Sequence, residues 1–177
     1  MLRTMISDYR SNSASGFLTV LYLWNYRIGN KLLSCRRKGI FWVYPVYVVF
    51  LILHRCFSVL FGAFLPFSCS LGQRVVFPHG LYGVFFSGRS VVGDDCVILH
   101  HVTIGSSFND EGEIKGAPLL GRDCFVGVGA KIIGKVVIGD SCKVGANALV
   151  TKDVADGATC FGAQASVVVR QVARGEE

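Results

Sequence analysis

From Val92 onward the chain repeats every six residues, and no other feature constrains its fold as strongly. Aliphatic residues stand at Val92, Ile98 and Ile104, and the series resumes at Leu120, Val126, Ile132, Ile138, Val144 and Val150. Glycine follows directly at six of these nine positions. A small or aliphatic residue comes four positions later in eight of them, with cysteine at Cys96, Cys124 and Cys142. A helix would show a period of 3.6 and an isolated strand a period of 2. A strict six with recurrent glycine reads as a triangular solenoid: each hexad supplies one short strand and one tight turn, and three hexads close a coil. Successive coils then stack at the strand spacing of ~4.8 Å, with the aliphatic residues inside. Glycine suits the turns, where the backbone needs unusual dihedrals or close approach.

The register loosens over 71–91, which reads as an irregular first coil or two, and breaks at the polar stretch 107–117, which reads as an extruded loop. These marks divide the chain into an arm (1–70), a β-helical body (71–162) and a C-terminal tail (163–177). Composition supports the division. Hydrophobic residues make up 51% of the 177, but the excess is concentrated in 39–67, where 22 of 29 are apolar. The net charge of +6 is equally local: residues 1–70 hold eight Lys/Arg and one acid, and the remainder is close to neutral. A body without basic excess argues against a nucleic-acid partner. Seven cysteines without a CxxC pair read as reduced, buried thiols rather than a disulfide framework or a zinc site.

Two stretches, PHGLYGVFFSGRSVVGDDCVILHHVTIG (78–105) and GAPLLGRDCFVGVGAKIIGKVVIGDSCKVGANALVTKDV (116–154), resemble the serine acetyltransferase group of hexapeptide-repeat acyltransferases. They are most similar to its branch of capsule, exopolysaccharide and O-antigen O-acetyltransferases. The resemblance implies a left-handed parallel β-helix, acetyl-CoA as co-substrate with no metal, and a homotrimer with active sites between subunits. It also implies that His79 is the general base. A hydroxyl is a poor nucleophile near neutral pH, and an imidazole in hydrogen-bond reach takes its proton as the oxygen attacks a thioester. Amides near Gly105 and Ser106 are the expected oxyanion donors. His100, His101 and Tyr82 are candidates for the acceptor site. Gly105, Ser106, Gly127, Val128, Gly145 and Ala146 are candidates for backbone contact with CoA, and Lys143 and Lys152 for its phosphates.

The departures from the serine enzymes matter as much. Pro78 replaces the aspartate before the histidine, and Gly116 and Ala117 replace the Arg-His pair that holds serine. An amino acid needs charged partners for its carboxylate and ammonium groups. These losses argue against serine, and the resemblance to the polysaccharide branch implies a hydroxyl of a surface glycan or its precursor as the acceptor. Serine O-acetyl transfer and a catalytically inactive membrane-associated scaffold are the alternatives. Adjacent His100 and His101 do not match the wider spacing of a three-histidine zinc site.

In the arm, 13–34 reads as one helix started by Ser13 or Ser15, followed by the basic cluster Arg36, Arg37 and Lys38. The apolar run after it reads as interrupted at Pro45 and near Arg55, leaving 14 residues from Ile40 to Leu53, short of a bilayer span. Met1 opens no signal-peptide pattern. The expectation is a peripheral, monotopic arm on the inner face of the cytoplasmic membrane, with His54 at the interface. Burial of the run against the β-helix or the trimer partners is one competing reading, and a single spanning helix over 40–60 with a kink at Pro45 is another.

Overall fold

The computed structural model describes residues 1–163, so the tail expected at 163–177 lies almost wholly outside the described residues. Three α-helices come first: α1 (Leu2–Asn12), α2 (Phe17–Arg37) and α3 (Tyr44–Phe61), with single 3-10 turns at Ser13–Ser15 and Phe41–Val43. Short strands then wind into a three-faced prism in which pairing between coils is parallel. Face one stacks Ser70–Leu71, Val91–Val92, Leu119–Leu120 and Val137–Ile138. Face two stacks Val97–Ile98, Phe125–Val126, Lys143–Val144 and Thr159–Cys160. Face three stacks Phe85–Phe86, Thr103–Gly105, Lys131–Ile133 and Leu149–Val150. The fold is the left-handed β-helix with a helical arm that the repeat and its resemblance led us to expect.

All nine aliphatic repeat positions are buried, and so are Cys96, Cys124 and Cys142 at the corner position. The glycines have a sharper role than the sequence suggested. Gly72, Gly93, Gly121 and Gly139 stack in a column, and a Cβ on Gly93 would lie 2.4 Å from the carbonyl oxygen of Gly121. They are there for close approach between coils. The left-handed dihedrals fall two residues later, on Asp95, Asp123 and Ser141, whose short polar side chains tolerate them.

Pairing begins earlier than the boundary drawn at 70. Phe64 already bridges Phe85, and Leu65, Phe67 and Cys69 are buried in the core. The end of the apolar run is thus the first rung of the prism, hidden in the sequence because apolar residues continue without a break from α3. The loop at 107–117 is a β-hairpin, Ser107–Phe108 antiparallel to Ile114–Gly116, closed by the Glu113 amide donating to Asn109 Oδ1 at 2.7 Å.

The arm differs from its sequence reading in four ways. α1 was not anticipated, and α2 starts after Gly16 rather than at Ser13 or Ser15. α3 is continuous through Arg55; Pro45 sits in its first turn, where a missing N–H costs nothing, and Gly62 (φ 54°) ends it. With the turn before it, Phe41–Phe61 is long and apolar enough to cross a membrane by length alone. His54 is not interfacial. It is 3% exposed, its Nδ1 lies 2.9 Å from Asn25 Oδ1, and it packs on Phe67 and Tyr22. Burial lowers its pKa to about 4, so the imidazole is neutral near pH 7.

The arm seals the first coil. A solenoid end leaves a row of unpaired carbonyls. Here Asn30 donates to Phe67 O at 2.7 Å, the Tyr26 hydroxyl to Cys69 O at 2.8 Å, and Asn12 to Val75 O at 2.9 Å. Arg27 donates to the carbonyls of Leu71 and Gly72 and is held by a bidentate pair with Asp8 at 2.9 and 3.1 Å. Asn12 also accepts from the Phe77 amide at 2.8 Å. Asn12→Ala removes these two bonds and a third, to Asp8 O at 3.1 Å, from a fully buried side chain and should cost about 1–3 kcal/mol, read as a shift in the urea midpoint.

Candidate active site

The edge between faces two and three is built differently in the first coil from the coils that follow. Later coils turn this edge in a few residues, as in Leu99–Val102. The first coil uses Phe77–Val84, two tight turns closed by Gly80 N–H to Phe77 O (2.9 Å) and Val84 N–H to Leu81 O (3.1 Å). Phe77, Leu81 and Val84 anchor this segment in the core. With those anchors inward, His79 and Tyr82 are left on the surface.

The next coil brings its own turn beneath them. The His101 amide donates to Tyr82 O at 2.9 Å, which sets His100 against His79 with ring centroids 5.3 Å apart and planes at 84°. His101 follows 5.4 Å from His100 and adopts φ 59°. His100 Nδ1 is buried without a hydrogen-bond partner. Among the described residues no side chain hydrogen-bonds the His79 imidazole; the His100 ring packs edge-on against it. The four sequence candidates His79, His100, His101 and Tyr82 therefore form one cluster.

The other candidates divide between two edges. Val128 and Ala146 continue the column of His100, because Gly129 N–H donates to His100 O and Asn147 N–H to Val128 O. Gly127 and Gly145 lie on the same edge. Gly105, Ser106 and Lys152 lie at the opposite end of face three, and Lys143 points outward from face two. The strand Thr103–Gly105 separates Gly105 from His101 by four residues, about 13 Å of extended chain. Within one chain, then, the amides near Gly105 and Ser106 do not share a site with His79. They border their own groove of about 380 Å³, walled by Phe86, Ser87, Phe108 and Ile133 beneath the hairpin.

Sequence reasoning missed three contributors. Phe61 at the end of α3 packs on Tyr82 at 4.8 Å, and Thr19 from α2 crowds Gly80. The arm thus forms one wall of the site, a long-range contact with no local signal. Lys131 donates to His101 O at 2.7 Å from face three. Gly83 carried a signal in HGLYG: it has φ 64°, and a Cβ there would lie 2.1 Å from His101 Nδ1. Among the described residues no three His, Cys, Asp or Glu side chains are grouped as a metal ion requires.

Comparison with known proteins agrees with this geometry. Residues 117–152 match the bacterial transferase hexapeptide family, described as six repeats. The chain is 32% identical over 135 residues to WcaB of Escherichia coli strain K12, an acetyltransferase assigned to colanic acid biosynthesis, covering 75% of this chain and 78% of that one. It is 30% identical over 143 residues to serine acetyltransferase of Synechococcus elongatus, covering 77% of this chain and 56% of that one. Among solved structures, a serine acetyltransferase in complex with CoA superposes with a TM-score of 0.66 at 26% identity, over 86% of this chain and 57% of its own. The chain thus spans little more than half the length of these serine acetyltransferases. It belongs to the hexapeptide-repeat acetyltransferases. As a member of that family it is an acetyl-CoA-dependent acyltransferase.

Gly83→Ala and Gly157→Ala impose similar backbone strain, since both glycines have positive φ, but Gly157 has open space around its Cβ. Acetyl transfer, followed as CoA release, should fall at least about tenfold in the first, where His101 is displaced, and stay near wild type in the second.

Proposed function

We propose that this enzyme moves acetyl from acetyl-CoA to a hydroxyl of a surface glycan or its precursor, with His79 as general base. The observation that carries the reading is the site itself: an exposed imidazole set edge-on to His100 and walled by Tyr82 and Phe61, with no ion pair among the described residues that form it. Such a pocket suits a neutral polyhydroxy acceptor better than a zwitterion. Gly116, one of the two residues where the serine enzymes carry their Arg-His pair, packs instead on Lys135 at the base of the hairpin. WcaB, with a similar share of identical residues, is assigned to colanic acid biosynthesis.

In the proposed reaction His79 takes the acceptor proton as the oxygen attacks the thioester carbonyl. The tetrahedral oxyanion is held by amide donors, the C–S bond breaks, and the proton passes to the departing thiolate. CoA runs along the small-residue edge at Gly127, Val128, Gly145 and Ala146. The split between the His79 edge and the Gly105–Ser106 edge supports a homotrimer, in which one prism's edge meets a different edge of its neighbour. Face one offers an apolar surface for such contact, with Val91, Leu119 and Val137 in register and partly exposed.

His79→Ala should lower turnover by about 10²-fold or more with the oligomer intact, measured as CoA release with a glycan panel and by mass spectrometry of the product. Faster turnover of free serine than of any glycan would reverse the acceptor assignment, and failure to bind CoA would favour an inactive scaffold.

The same reading places the enzyme at the cytoplasmic face of the membrane. α3 is apolar on all sides. Its inner face packs on α2 and Phe67, while Val46, Val49, Ile52, Leu53, Val59 and Leu60 face outward and Trp42 is 92% exposed. A helix so bound to the body along its inner face is suited to lying in the interface rather than crossing it. No acidic residue occurs between Asp8 and Asp94, and Arg36, Arg37 and Lys38 are exposed beside α3. The full chain should float with vesicles containing anionic phosphatidylglycerol, and Trp42→Ser with Leu60→Ser should weaken flotation severalfold. A chain that stays wholly in the soluble fraction would refute this placement.

A further inference from the structure

Two adjoining cavities lie along the flank of α3, away from the histidine cluster. The first, about 170 Å³, is bounded by Leu33, Tyr47, Leu51, Phe64, Pro66 and Phe67, with His54 and Arg55 completing its wall. The second, about 320 Å³, shares Leu33, Phe67 and Ser68 with the first and is otherwise polar and basic, bounded by Asn30, Ser34, Arg37 and Lys38. One is an apolar slot walled in part by α3, and the other a cationic mouth bounded by the end of α2. Within the first wall, His54 Nε2 is buried without a hydrogen-bond partner, so the wall is polar-incomplete as it stands.

Charge and shape point to one kind of occupant. Neither Arg37 nor Lys38 has an ion-pair partner among the described residues, in contrast to Arg27, Arg74 and Arg122. The stretch from Tyr9 to Gly93 contains no carboxylate to neutralise them. Two free cations flanked by the Ser34 and Ser68 hydroxyls suit a phosphate. An apolar slot opening from that mouth suits a hydrocarbon chain. Arg36 stacks over Tyr47 and Arg55 over Phe64, so both aromatic walls are braced by cations, and Arg55 itself lines the first cavity.

We infer that this double cavity binds a single phosphate-bearing long-chain lipid, with its phosphate at Arg37 and Lys38 and the start of its chain against Leu51, Phe64 and Phe67. The inference rests on the membrane seating proposed above and is independent of which acceptor the enzyme acetylates. It adds a stoichiometric lipid site to what would otherwise be a nonspecific surface attraction. A bound lipid of this kind would fix the depth and rotation of the arm, and through the Phe61–Tyr82 contact the position of one wall of the acetyl-transfer site.

The test uses the full chain and dioctanoyl phosphatidic acid kept below its micellar concentration, titrated by calorimetry, with vesicle flotation run in parallel. One amphiphile should bind per chain. Arg37→Ala with Lys38→Ala should weaken it at least about tenfold. Leu51→Trp, which fills the slot, should do the same, and Ser68→Trp on the exposed rim provides a second block that does not depend on repacking the core. Inorganic phosphate should bind far more weakly than the amphiphile. Equal binding of inorganic phosphate, or titration curves unchanged in the Leu51 and Ser68 variants, would overturn the inference. Flotation with vesicles but no binding of the monomeric amphiphile would overturn the cavity while leaving the membrane seating intact. Monomer binding without flotation would support the cavity and remove the seating.

Discussion

The end of a stacked solenoid is the constraint on which the rest of this structure depends. Each interior coil satisfies its backbone groups with the coils above and below, but the first coil has a neighbour on one side only. Its free carbonyls at Phe67, Cys69, Leu71, Gly72 and Val75 are taken up by Asn30, Tyr26, Arg27 and Asn12. The arm therefore acts as the missing coil, supplying donors from side chains where the prism would supply them from the backbone. The buried Asp8–Arg27 pair follows from this: a cation serving two carbonyls in a desolvated place needs a counter-charge, and α1 provides it.

Capping by helices has a consequence for chemistry. The histidine cluster lies in the first complete turn of one edge, where α2 and α3 meet the prism, so Thr19 and Phe61 border it. The element that closes the solenoid, the wall of the site and the apolar face of α3 are parts of one packed body, joined through Tyr22, Phe57, Phe61 and Phe67. An enzyme built this way can hold its site at a fixed offset from whatever surface α3 contacts.

Coil stacking also explains which parts of the molecule were readable. Because like positions pile up at one spacing, a column's requirement is written once per coil. Glycine at Gly93, Gly121 and Gly139, cysteine at Cys96, Cys124 and Cys142, and aliphatics at every sixth place are each repeated statements of one steric fact. The arm contains no such repetition. A largely apolar run from Ile40 to Phe67 hides the point where helix gives way to the first rung at Phe64, and Pro45, read as an interruption, is a helix start. His54 was misread for the same reason: in a helix apolar on every side, the sequence does not say which side faces in.

The sequence by itself determined the prism, the size of its coils, the contents of its interior and the edge on which His100 and His101 stand, because a period of six leaves the inward face no choice. Only the tertiary structure decided that Gly105 and Ser106 lie across a face from His79, that the His100 ring packs edge-on against His79, and that an arm distant in sequence walls the site. These depend on where separate coils and helices come to rest against one another. That is settled by satisfying the backbone groups at the solenoid's end, and no local pattern in the chain records it.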